Sequence, residues 1–146
     1  MDVDSIYLYL SNEDKTVSSA WPYNFSVTLP KTLWLESSKW EMALHSISYE
    51  GNFITSPPPK LISVCCDAIE SSIIHSSQAQ ILRRLINTDV TNVHWDFEQL
   101  QYKKIIISDL SSVRVYLLDE KGNPAVLGPE SWVYCTLHLR KKNTLL

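Results

Sequence analysis

Four histidines, three cysteines and scattered carboxylates are the side chains of this sequence whose chemistry could go beyond packing. Cys135 and His138 make a Cys-x-x-His spacing, and Cys65 and Cys66 offer two more thiols, a donor set that zinc accepts. Residues 133–140, however, read as a strand, in which successive side chains point to opposite faces. Positions 135 and 138 then diverge, as do Cys65 and Cys66, and no metal site is expected. Asp67 with Glu70, and Asp96 with Glu98, have the closeness of paired acid–base carboxylates, but solvated strand ends or loops place them equally well. His45, His75, His94 and His138 stand far apart, with no fixed offset to a Cys or Asp. There is no Gly-x-Ser-x-Gly elbow and no His-Glu-x-x-His pair. Gly51, Gly122 and Gly128 are too isolated to build a phosphate-cradling loop. Catalytic residues and cofactors are therefore not expected, and the chain reads as a non-enzyme.

Charge narrows the partners. Thirteen Lys and Arg against sixteen Asp and Glu give a net charge of -3 and a pI near 5.8, whereas a dedicated nucleic-acid binder is normally basic. The basic residues gather as Arg83-Arg84, Lys103-Lys104 and Arg140-Lys141-Lys142. The last group could meet phosphate beside Trp132 or Tyr134, or could keep a terminal strand soluble and blunt a sheet edge. The acidic total favours the second role, and nucleic-acid contact is not expected. No window approaches the roughly 20 apolar residues that span a bilayer, and the acidic start is unlike a signal peptide. An odd number of cysteines spells no disulfide framework and suits a reducing compartment, so all three read as small buried hydrophobes.

The elements that must position these groups are strands. Phe25, Val27 and Leu29 alternate with Asn24, Ser26 and Thr28 in a half-buried strand that Pro30 is expected to close. Val133, Cys135, Leu137 and Leu139 oppose Trp132, Tyr134, Thr136, His138 and Arg140. Ile6, Leu8 and Leu10 oppose Tyr7 and Tyr9. Val113, Val115 and Leu117 oppose Arg114 and Tyr116, with Leu118 breaking the pattern. Residues 40–49, 60–66 and 103–107 read as further strands, with the blurred periodicity of strands covered on both sides. Residues 76–87 are ambiguous: Ile81, Leu82, Leu85 and Ile86 fall at helical spacing within a β pattern. Pro57, Pro58 and Pro59 mark a rigid bend and not a linker. At 146 residues the chain is expected to form one domain over 1–146, with short flexible ends at 1–4 and 141–146. Seven to nine strands joined by short turns favour a β-sandwich or a barrel.

Aromatic content is the remaining signal. Five Trp and seven Tyr exceed what one small sandwich core comfortably holds. The surplus either caps the open ends of the sandwich or lies between subunits, where large rigid rings are enriched. Trp21, Tyr23 and Trp34, near strand ends, and Trp132 and Tyr134, opposite an aliphatic stripe, are the candidate interface residues.

The order of segments also resembles a known family. A tyrosine-rich first strand ends in Leu10-Ser11-Asn12, and a second strand ends in Thr28-Leu29-Pro30. Leu33-Trp34-Leu35 and Trp40-Glu41-Met42-Ala43-Leu44 follow, and the chain closes on Thr136-Leu137-His138-Leu139-Arg140. These segments resemble signatures of small virion proteins encoded by Polinton (Maverick) elements and adintoviruses. The resemblance implies an all-β single jelly roll of about eight antiparallel strands acting as a minor capsid, or penton, protein. It further implies a homopentamer at the capsid vertex, in contact with a double jelly-roll major capsid protein, and hence a place in the virion. Arg140, Lys141 and Lys142 would then face the particle interior or water. A small binding module, such as a virion spike or receptor-binding domain, is the alternative expectation.

Overall fold

The computed structural model describes residues 4–14, 17–36, 38–88 and 90–142. Among them the strands run in chain order as β1 (Ser5–Ser11), β2 (Val17–Trp21), β3 (Asn24–Trp34), β4 (Trp40–Glu50), β5 (Leu61–Cys66) and β6 (Ser72–Ile74). They continue as β7 (Ser77–Ala79), β8 (Ile81–Ile86), β9 (Asn92–Asp96), β10 (Lys103–Lys104), β11 (Asp109–Leu118) and β12 (Trp132–Lys141). One sheet has the order β1-β12-β4, with β9 and β10 succeeding one another along the far side of β4; the other has the order β2-β3-β11-β5-β8. Every pairing is antiparallel. The eight strands β1-β12-β4-β9 and β3-β11-β5-β8 make the two facing sheets of a jelly roll.

Alternation explains which face turns inward. Val133, Cys135, Leu137 and Leu139 of β12 and Val113, Val115 and Leu117 of β11 are buried in one core with Phe25, Val27, Met42, Leu44, Ile47 and Tyr49. Each such side chain contributes about 1.5–3 kcal/mol by leaving water. Leu118 breaks its strand's pattern for a visible reason. The β6–β7 hairpin lies over the outer face of the second sheet, where Ile74 and Ala79 join Cys65 and Ile81, packed by Tyr116 and Leu118. Gln80 pins this third layer: its amide nitrogen donates to the carbonyls of Asp67 at 2.9 Å and Ile69 at 3.0 Å. Cys65 and Cys66 thus fall on opposite faces of β5, Cys66 in the main core and Cys65 under the hairpin.

Several sequence expectations are corrected. Pro30 does not close its strand: β3 runs on to Trp34, and its pairing with β11 slips between Leu33↔Leu110 and Thr28↔Ser112. A bulge of this kind is where a strand tolerates the missing N–H of proline. Residues 76–87 form strands β7 and β8. Their helix-like spacing arises because Leu82 is an extra residue in the pairing of β8 with β5, so that Leu82 and Leu85, three apart, both reach the main core while Ile81 lies under the hairpin. The strand expected over 103–107 shrinks to β10 and an isolated bridge between Ile105 and Ile69. Asp4, Lys141 and Lys142, expected in flexible ends, are tied to the sheet. Lys141 N–H donates to the Asp4 carbonyl at 2.9 Å, and Lys142 N–H to the Lys39 carbonyl at 2.7 Å. The rest of those ends, 1–3 and 143–146, lies outside the described residues.

Candidate functional site

The outer face of the first sheet gathers most of the chemistry-bearing side chains. Pairing of β1 with β12 sets Tyr7 against His138, Tyr9 against Thr136 and Ser11 against Tyr134. The Tyr7 ring stacks on His138 at 4.5 Å and meets the His45 ring edge-on at 5.6 Å. His45 reaches this face because it is the extra residue where β4 slips against β12, between Ser46↔Thr136 and Leu44↔Leu137. The hydroxyl of Tyr102, from the segment between β9 and β10, is hydrogen-bonded to Nδ1 of His138 at 2.6 Å. The Arg140 guanidinium lies 3.5 Å over the Tyr102 ring and donates to Glu41 at 2.8 Å. Because β4 separates β10 from β12, Tyr102 must cross β4. The partner of His138 there is Ala43, fully buried despite its outward register. Burial first, then the Arg140 charge and His45, hold the His138 imidazole below its ordinary pKa. Burial raises the Tyr102 hydroxyl.

Further along the same face, Trp132 donates its indole N–H to Glu50 at 2.8 Å and meets the Tyr134 ring at 5.4 Å. The Tyr134 hydroxyl donates to Glu13 at 2.6 Å. Tyr9, 74% exposed, flanks with Tyr134 an open groove of about 320 Å3 bordered by Glu13, Ser46, Ser48 and Thr136. Of the aromatic residues singled out in the sequence, Trp132 and Tyr134 belong to this face. Trp21 and Tyr23 sit together at the β2–β3 turn with rings 6.2 Å apart, Trp21 exposed and Tyr23 packed on the core. Trp34 stands by itself at the end of β3, opposite Asp109 and 78% exposed. Arg140 is engaged by Glu41, and Lys141 lies 3.7 Å from Glu36.

Folding also assembles a Ser–His–Asp string that sequence spacing does not reveal. Ser48 and His94 are cross-strand partners whose Oγ and Nδ1 are hydrogen-bonded, and His94 Nε2 lies 2.8 Å from Asp96. A nucleophile of this kind needs donors aimed at an oxyanion. Here the string lies on an exposed sheet face, and Ser48 stands on β4, which is paired on one side with β12 and on the other with β9. Asp67 and Glu70 likewise have separate structural uses, accepting backbone N–H groups of Arg114 at 3.0 Å and Lys104 at 3.4 Å. Cys135 lies in the core while its Cys-x-x-His partner His138 lies outside. Among the described residues no three His, Cys, Asp or Glu side chains come together as metal ligands, and no helix is long and apolar enough to cross a membrane.

The sequence singles out Trp132 and Tyr134 on this face, but not Tyr7, Tyr9, Tyr102, His45 and His138 as one group with them. The alternation of Tyr7 and Tyr9 opposite Ile6, Leu8 and Leu10 was the available signal. The bulge at His45 and the crossing of Tyr102 left none.

The fold defines the class first: a jelly-roll sandwich, an architecture shared by viral capsid proteins, lectins and cupins. Among solved structures, the mavirus penton protein superposes with a TM-score of 0.69, over 96% of this chain and 100% of that one, at 6% identity. That degree of likeness establishes a shared fold. A virus-like particle of the extra small virus of the prawn Macrobrachium rosenbergii is matched over 98% of this chain and 84% of that one. Its TM-score of 0.20 and 7% identity carry no argument. No protein family and no curated protein matches the sequence.

Proposed function

We propose that this chain is a structural protein of a viral capsid, a minor capsid or penton protein whose copies close into a homopentamer at the capsid vertex. The observation that carries the reading is the superposition on the mavirus penton protein along essentially the full length of both chains. The resemblance of the Leu33-Trp34-Leu35, Trp40-Glu41-Met42-Ala43-Leu44 and Thr136-Leu137-His138-Leu139-Arg140 segments to Polinton and adintovirus virion proteins points the same way. Mechanism in such a protein is geometric. Head-to-tail contacts between unlike surfaces generate a ring when the rotation closes. This subunit offers unlike surfaces: the aromatic outer face of the first sheet, and a second sheet covered by the β6–β7 hairpin. The double jelly-roll major capsid protein is the partner such a ring would meet.

Light scattering on the purified full chain should give about 84 kDa, five times the 16.8 kDa of one chain. Electron microscopy should place it at the vertices of particles formed with the major capsid protein. A strict monomer that fails to join those particles overturns the proposal.

One observation favours a second reading. The groove between Tyr9 and Tyr134 joins aromatic faces to the hydroxyls of Ser46, Ser48 and Thr136 and the Glu13 carboxylate, a combination suited to a sugar in a spike or receptor-binding module. Saturable glycan binding by a monomer or trimer, lost in Tyr9→Ala, would establish it in place of the penton role.

A further inference from the structure

The Arg83-Arg84 pair and Lys103, remote in sequence, are brought to one cleft by the jelly-roll topology. An open cleft of about 460 Å3 is bordered by Ile73 and His75 of the hairpin, Arg83 and Arg84 of β8, Lys103 of β10, and Glu120. Three permanent cations and one carboxylate thus border a single cleft in a chain whose net charge is -3. Glu120 does not neutralise them: its carboxylate accepts the Lys60 N–H at 3.3 Å, and no ion pair involves Arg83, Arg84 or Lys103 among the described residues.

Arg83 is held in advance of any ligand. Its guanidinium lies 4.0 Å over the Phe97 ring and donates once to the Gln99 carbonyl at 2.6 Å. A guanidinium has five N–H donors, so most of its capacity remains. Arg84, the next residue of this edge strand, is exposed on its opposite face, and Lys103 belongs to the other sheet. His75 closes the rim, its Nε2 fixed on the Glu120 carbonyl at 2.9 Å and its backbone in the left-handed region at φ 51°.

We propose that this cleft binds a compact, multiply charged phosphate anion, either a free oligophosphate or consecutive phosphates of a nucleic-acid strand. A single carboxylate would satisfy one guanidinium. Three cations contributed by two sheets call for several negative oxygens within a few Å, and arginine forks match phosphate geometry. The inference is independent of the capsid reading.

Titration calorimetry of the full chain with sodium tripolyphosphate, in low salt, should show saturable binding at one site. The Arg84→Glu, Lys103→Glu double variant should weaken it at least about tenfold, while a tail variant with Lys141 and Lys142 changed to Ala binds like the parent. Should the double variant fail to fold by circular dichroism, Arg84→Glu alone, at an exposed edge position, carries the same comparison. A twelve-nucleotide single-stranded DNA separates the sources. If it too binds, is lost in the same variant and shows a log–log salt slope of about -2, nucleic-acid phosphates are the ligand. If only tripolyphosphate binds, the ligand is a free oligophosphate. No saturable binding of tripolyphosphate, or binding that survives the charge reversal in a folded variant or is lost equally in the tail variant, overturns the proposal.

Discussion

The Tyr102 hydroxyl lies 2.6 Å from Nδ1 of His138, although strand β4 stands between their segments in the sheet. The hydroxyl can donate when Nδ1 is unprotonated and accept when Nδ1 carries the proton. Burial around His138 favours its neutral form. Its pKa is held below the usual 6.5 by burial, by Arg140 and by His45, while the unfolded chain titrates near the ordinary value. Between those two values the unfolded state binds more protons, so stability is full above about pH 6.5 and falls as pH drops through the folded pKa. Urea unfolding from pH 7.5 to pH 5 should show that loss, and His138→Gln should flatten it. An identical pH profile in the variant would remove His138 from the account.

Ala43 gives the crossing ring its clearance. It is fully buried on the outward register of β4, opposite His138. Ala43→Leu should cost about 1–3 kcal/mol, the range for overpacking, and should displace Tyr102. A shift of the His138 titration toward that of a free imidazole, followed by NMR, would register the displacement. Unchanged stability and titration would contradict it.

If subunits meet through the aromatic face, Tyr9→Ala and Tyr134→Ala should each weaken the oligomer by about 2 kcal/mol, as interface tyrosines commonly do. Tyr9 is exposed and Tyr134 about half exposed, so the melting temperature of the isolated subunit should hardly move. Sedimentation at several concentrations reads the first quantity and calorimetry the second. Oligomers indifferent to both substitutions would exclude this face.

Gly51 sits at the exit of β4 with φ at 141°, and an added Cβ would lie 1.9 Å from Ser131 Oγ and 2.5 Å from Ser131 Cβ. Gly51→Ala should therefore destabilise by about 2 kcal/mol or more, through backbone strain and clash together. Replacing Ser131 with Gly in the same chain should restore only the clash component. A Gly51→Ala protein as stable as the parent would refute both.

The three thiols should be silent in the folded protein. Burial pushes Cys65 and Cys135 up to about 12, and raises Cys66 as well. Since the thiolate is the reactive form, a disulfide reagent at pH 8 should label none of them until denaturant is added, and then all three. Rapid labelling before unfolding would mean that the core opens.

The sandwich could be read from the sequence where one face of a strand is aliphatic and the other is not. Val133, Cys135, Leu137 and Leu139, or Val113, Val115 and Leu117, announce their burial by alternation alone. Where two layers cover a strand, as at Cys65 and Leu118, or where an extra residue shifts the phase, as at Leu82 and His45, the period is lost. Pro30 misled because a proline that ends a regular strand can also occupy a bulge. The aromatic face was half legible. Trp132 and Tyr134 share the alternation of β12, but Tyr102 comes from outside any strand, and only the order of the strands brings it to His138. The basic cleft depends on the same kind of long-range neighbourhood, which no local spacing encodes.

The pairing of β1 with β12, from Ser5↔Arg140 to Ser11↔Tyr134, has a consequence for how the molecule is made. The strand that completes the first sheet is made after every other described strand, and until it emerges β1 and β4 lack the neighbour that lies between them. Contacts so distant along the chain form late and slowly. During synthesis the subunit should therefore hold an unsealed sheet, sticky to other nascent copies, and close only once β12 has emerged.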